Sequence, residues 1–147
     1  MAPFLLDASA MAEGPVAPAE AVLTPREGNS TTEFSLELPD GASCPGDSAN
    51  DGYRVQSYMV PASVDPTAVT YNGTGPIPNV YGTYGEFRQP LYDTFSNSLV
   101  ALQTADALAP GPPGPIVNLP PFSYAVYGPG DLPAGRYHVG LVCTLSN

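Results

Sequence analysis

Residues 132–146 read LPAGRYHVGLVCTLS, and the alternation that begins at Tyr137 decides the fold class. Tyr137, Val139, Leu141 and Cys143 fall on one side and His138, Gly140, Val142 and Thr144 on the other. That is the period of two of a strand with one buried face. Leu132, Pro133, Ala134 and Gly135 precede it as a turn, Pro because it fixes φ and Gly because it accepts the positive φ of many tight turns. The segment is therefore expected to be a closing β-strand with Cys143 on its inner face.

The same period recurs upstream. In residues 32–38, Phe34, Leu36 and Leu38 are expected inward and Glu33, Ser35 and Glu37 outward, ahead of a turn at Pro39-Asp40-Gly41. Residues 52–60, GYRVQSYMV, set Tyr53, Val55, Ser57 and Met59 against Arg54, Gln56, Tyr58 and Val60. Both of those faces are partly apolar, as suits a central strand, and Pro61 stops it. Shorter strands are expected at residues 21–25, edge-type because of Pro25, and at 68–71, 116–119 and 122–127, the last with Phe122, Tyr124 and Val126 on one side.

Between these lie loops by local signal: residues 44–52 (CPGDSANDG), 72–76 (NGTGP) and the stiff 109–115 (APGPPGP). Residues 76–96 read as a long connection, and residues 98–108 serve equally well as a short helix or a strand. About seven short strands joined by turns predict an all-β fold, an immunoglobulin-like antiparallel β-sandwich with long Pro/Gly-rich loops. Residues 1–19, rich in Ala, Pro and Glu without alternation, are expected as a disordered or linker-like tail, leaving 20–147 as a single β-sandwich domain.

Composition agrees with this reading. A chain of 147 residues fits one domain with a real core, and 19 Pro with 15 Gly disfavour helices of ordinary length. Fourteen acidic residues against four Arg give a net charge of −10. Phosphate backbones and anionic lipid surfaces repel such a chain, so nucleic acid is not an expected partner. No stretch approaches the length of a transmembrane helix, so membrane insertion is not expected either. The opening MAPFLLDASAMAEG holds only Phe4-Leu5-Leu6 as an apolar run, without the basic start and longer apolar centre of a signal peptide.

Cys44 and Cys143 are the two cysteines, and they are expected to form a disulfide rather than to stay as buried free thiols, because both border β-type segments near core positions. Closing a loop of about a hundred residues removes unfolded-state entropy worth on the order of 4 to 5 kcal/mol in the chain-entropy model. A bridge implies an oxidising compartment.

Residues 44–66 (CPGDSANDGYRVQSYMVPASVDP) and 132–144 (LPAGRYHVGLVCT) resemble segments of secreted or cell-surface proteins of actinobacteria built from immunoglobulin-like domains, and 87–93 (FRQPLYD) is compatible with the same group. The resemblance covers about a third of the chain and implies a surface-displayed, structural or adhesive module with no catalytic residues. The chain departs from antibody domains, having no Trp between its cysteines and Leu141 in the place of the tyrosine-corner Tyr.

The residues that suggest chemistry are few. Gly46-Asp47-Ser48 is similar to the nucleophile motif of GDSL-type hydrolases, but the lone His138 follows Asp131 by seven residues, where those enzymes place it three after an Asp. The chain is therefore read as non-catalytic. Asp47, Asn50 and Asp51 offer oxygen ligands for a loose calcium site, against which Ala49 and Tyr58 occupy positions where an EF-hand needs ligands. One His and two Cys do not make a closed zinc site, and no cofactor is expected. Tyr81, Tyr84, Phe87 and Tyr92 are the candidate partner surface, either as a platform for another protein or cell-wall polysaccharide or as core packing beneath a long loop.

Overall fold

The computed structural model describes residues 4–12, 19–38, 42, 44, 45, 52–99 and 119–145. Among them the protein is all-β: β1 (Phe4–Ala12), β2 (Ala19–Glu20), β3 (Val22–Thr24), β4 (Glu27–Gly28), β5 (Ser35–Glu37), β6 (Tyr53–Pro61), β7 (Thr70–Asn72), β8 (Gly75–Ile77) and β9 (Gly135–Leu145). Short 3-10 turns at Pro66–Ala68 and Tyr84–Glu86 are the only helical pieces in this set. The strands form three small sheets: one in the order β2-β1-β9-β6 with β4 also on β1, one of β3 and β5, and the hairpin β7-β8.

The closing strand occupies the middle of the largest sheet. β9 pairs antiparallel with β6, in a register that sets Val55 against Cys143, Ser57 against Leu141 and Met59 against Val139. Because side chains alternate, those residues face one way with Tyr137, and all of them are buried. The other face carries Tyr58, Val60 and Val142, buried as a second, smaller cluster under Val64, Val69 and Tyr71. So the two partly apolar faces of residues 52–60 are both covered. The hairpin β7-β8 helps to hold that outer cover down: Gln56 Nε2 donates to Asn72 O at 2.8 Å and to Thr144 Oγ1 at 2.9 Å.

The main core lies on the inner face of this sheet. Leu23 of β3 and Leu36 of β5, directly paired, share one buried cluster with Val55, Met59, Val139, Leu141 and both cysteines. Phe34 stacks on Phe122 at 5.4 Å between ring centroids, with Tyr124 set edge-on to both. Phe34 and Phe122 also exchange backbone hydrogen bonds at 2.8 and 2.9 Å. The free edge of β6 is met at one point by the long connection, where Met59 and Gln89 exchange backbone bonds at 2.7 and 3.2 Å. Cys44 and Cys143 are joined as a disulfide, with their Cα atoms 5.6 Å apart and both residues buried.

Several expectations need correction. Residues 4–12, expected within a tail, form β1, which runs parallel to β9 from Phe4 opposite Gly135 to Ala12 opposite Cys143. A strand held by backbone pairing needs no strict apolar alternation, and that is the signal its sequence lacks. Residues 122–127 do not continue as a strand: Tyr127 N bonds to Tyr124 O at 3.1 Å, so the chain turns and Val126 points to solvent. Pro66–Ala68 is a 3-10 turn capped by Asp65, whose carboxylate takes the Thr67 amide, so β7 starts only at Thr70. Gly135 lies outside the left-handed region; a Cβ there would collide with the ring of Tyr84, so close approach is what requires glycine. Ser48, the candidate ligands Asp47, Asn50 and Asp51, and residues 100–118 lie outside the described residues.

Candidate interaction surface

The four aromatic residues singled out from residues 81–92 part company in the fold. Phe87 is fully buried and packs edge-on to Tyr137 at 5.3 Å, so its ring belongs to the core. Tyr84 is half-buried, its ring edge-on to Tyr137 at 5.2 Å and its hydroxyl donating to Arg136 O. Tyr92 is half-buried as well, while Tyr81 keeps 56% of its surface exposed. Tyr81, Phe87 and Tyr92 nevertheless converge on one ring, that of Tyr127, at centroid distances of 6.5, 5.8 and 5.9 Å. Tyr124 completes the group, stacked on Tyr127 at 6.2 Å.

A buried amide fixes the orientation of this group. Gln89 is 2% exposed, and its backbone is already committed to Met59 of β6. Its Nε2 donates to Asn79 Oδ1 at 2.7 Å, and its Oε1 accepts the hydroxyls of both Tyr92 and Tyr127 at 3.2 Å. The Tyr92 and Tyr127 hydroxyls are therefore both tied to one acceptor, which fixes how these two rings lie against each other. Burial pushes the Tyr127 phenol well above the ordinary tyrosine value, with Tyr92, Tyr124, Tyr137 and Asp131 adding to it, and burial raises Tyr92 in the same direction. Both hydroxyls thus remain donors at neutral pH.

Beyond Tyr127 the chain runs into a loop that borders a depression of about 550 Å³, lined by Tyr127, Gly128, Pro129, Gly130, Leu132, Pro133, Ala134 and Ser30. None of these side chains is charged, although the chain carries a net charge of −10. The loop is held in shape by Asp131, whose carboxylate accepts Gly128 N at 3.0 Å and whose carbonyl accepts Gly82 N at 2.8 Å. Gly130 adopts φ 83°, in the region that favours glycine. The Gly82 bond brings exposed Tyr81 alongside the same loop, so an aromatic residue and an uncharged hollow lie at one rim. This is the size and lining of a small-ligand or peptide-side-chain site, with few polar groups.

Sequence reasoning did not identify Tyr127 or Gln89. Tyr127 is expected as the end of a strand, although it directly precedes Gly128-Pro129-Gly130, a turn signal that places it at a loop. Gln89 had no sequence signal, since a buried glutamine cannot be told from an exposed one by pattern. Among the described residues no group of three His, Cys, Asp or Glu is placed to hold a metal, and no helix is long and apolar enough to cross a membrane. No protein-family model matches the chain, and comparison with curated proteins and with solved structures finds no match.

Proposed function

We propose that this chain is a non-catalytic, immunoglobulin-like module of an exported bacterial surface protein, and that it acts by binding another protein or a surface through its rim loops. The observation that carries the reading is the hollow lined by the uncharged Tyr127, Leu132, Pro133 and Ala134 beside exposed Tyr81, with Gln89 holding the Tyr127 hydroxyl from behind. A preorganised aromatic rim loses little entropy on binding, which favours an interaction role. The buried disulfide supports an oxidising location, and the acidic composition supports solubility there.

A carbohydrate-binding role is the second reading, and the exposure of Tyr81 favours it, since a tyrosine ring can stack on a sugar. Titration of tyrosine fluorescence with cell-wall polysaccharide fragments separates the two. A saturable change that Tyr81→Ala abolishes supports the sugar reading. No response across a broad panel leaves the protein-binding reading. A ligand that binds equally well to Tyr81→Ala and to a variant with the hollow filled, Ala134→Phe, refutes the rim as the site.

A further inference from the structure

Asn72-Gly73 is the chain's one Asn-Gly pair, and it forms the exposed tip of the β7-β8 hairpin. Asn72 Oδ1 accepts two hydrogen bonds there, from Thr74 N at 2.8 Å and from Thr74 Oγ1 at 2.7 Å. Two donors on a carbonyl oxygen draw charge from its carbon and stabilise the oxyanion that forms when that carbon is attacked. The adjacent nucleophile is the backbone nitrogen of Gly73, which has no Cβ to hinder the approach.

We propose that Asn72 is a self-modifying site. The Gly73 nitrogen, giving up its proton to solvent, forms a bond to Asn72 Cγ; the Cγ–Nδ2 bond breaks and ammonia leaves with the proton it needs. The resulting succinimide is opened by water. Addition at the Cγ carbonyl gives aspartate, and addition at the main-chain carbonyl gives isoaspartate, with the chain now running through the side chain.

The fold contains its own controls. Asn29 has the same arrangement, its Oδ1 accepting Thr31 N at 3.0 Å and Thr31 Oγ1 at 2.7 Å, but the next residue is Ser30, whose Cβ hinders closure. Asp65 repeats the pattern with Thr67 at 2.9 and 2.7 Å, but Pro66 has no N–H to supply the nucleophile. Of the three like turns among the described residues, only the one at Asn72 combines an amide leaving group with an unhindered nitrogen.

The modification has a structural consequence. Asn72 O is the acceptor for Gln56 Nε2, and Asn72 pairs with Gly75 across the hairpin. An isoaspartyl linkage lengthens the backbone at that point, shifts this carbonyl and breaks the pairing register. Tyr71, which covers Tyr58, Val60 and Val142, then loses its anchorage on the outer face of β6 and β9.

The test incubates the purified, folded protein at mildly alkaline pH and follows each asparagine-containing peptide by mass spectrometry, with isoaspartate detected by enzymatic methylation. Asn72 is expected to convert about tenfold faster than Asn29 or more, the factor that a transition-state gain of one decade represents. Hydrogen exchange at residues 69–77 should rise in step. Gly73→Ala should slow the conversion by a similar factor while leaving the fold intact, because a Cβ at Gly73 meets only Arg54 Nη1 at 3.5 Å, an ordinary contact. Equal rates at Asn72 and Asn29 would overturn the proposal. So would a native Asn72 that stays intact while the same chain, unfolded in denaturant, converts.

Discussion

Ser57 and Leu91 are joined through the core: Ser57 Oγ accepts the Leu91 amide at 2.8 Å while donating to Leu99 O at 3.0 Å. Leu91 O in turn accepts the Leu99 amide at 2.9 Å. One buried hydroxyl on β6 thus satisfies a donor of the long connection and an acceptor just beyond its end, at a place where the chain makes no regular ladder with β6. The aromatic group behind the rim hangs from the same connection.

Removing that hydroxyl leaves an amide and a carbonyl without a partner. Ser57→Ala is expected to lower stability by about 1 to 3 kcal/mol, the desolvation cost of unsatisfied buried groups. A urea denaturation curve reads this as a lower midpoint with an unchanged slope. A midpoint equal to that of the parent protein would show that the connection does not depend on Ser57.

Gln89 is expected to matter to the rim as well as to stability. Gln89→Leu removes the acceptor shared by the half-buried Tyr92 and Tyr127 hydroxyls, at about 1 to 3 kcal/mol. Tyr127→Phe removes only one of the two hydroxyls on Gln89 Oε1 and keeps the ring, so it is expected to cost about 1 kcal/mol. Tyr127→Ala removes the ring on which the cluster is built and is expected to cost about 3 to 5 kcal/mol. An inverted order, with Tyr127→Phe costing more than Tyr127→Ala, would contradict the account of the cluster.

Alkali should unfold the protein through its tyrosines. Burial first, and neighbouring phenols second, raise Tyr71, Tyr124, Tyr127 and Tyr137 above the ordinary tyrosine value. The native state therefore keeps protons that the unfolded chain releases. The associated stability is full below the unfolded value of about pH 10 and declines as pH rises through and beyond it. Phenolate absorbance and circular dichroism should change together above that pH. Free titration of these phenols with the fold intact would show that they are not buried as described.

Tyr81 should behave oppositely to Tyr127. It is the exposed member of the group, so Tyr81→Ala is expected to change stability by no more than about 0.5 kcal/mol. Any binding at the rim should weaken in that variant, and calorimetry against a responding ligand would measure it.

The parts of the fold legible in the sequence are those where one face is apolar and the other is not. The segment around Phe34 and Leu36 has that contrast, with both residues buried and Glu33, Ser35 and Glu37 exposed, whereas β9, expected with one buried face, buries Val142 and Thr144 on its other face as well. The strand around Val55 and Met59 is legible for a different reason: both of its faces are partly apolar, as a central strand requires, and both are covered. The pairing of Cys44 with Cys143 followed from there being no other cysteine. β1 was not legible because its role is backbone pairing, and the turn at residues 124–127 was not because Phe122 and Tyr124 imitate the start of a strand. Of the four aromatic residues singled out in residues 81–92, Tyr81, Phe87 and Tyr92 meet at the ring of Tyr127, which no local signal ties to them because it lies 35 residues beyond Tyr92 in the chain.

The disulfide ties these parts into one account, because it anchors β9 inside the core and supports the exported reading. Its loss, by Cys44→Ser with Cys143→Ser, is expected to cost on the order of 4 to 5 kcal/mol for a closed loop of about a hundred residues. The most direct measurement is intact mass after alkylation in denaturant of protein isolated without reductant. The account predicts that neither cysteine takes the label until a reductant is added. Labelling of both cysteines in the unreduced protein would contradict it.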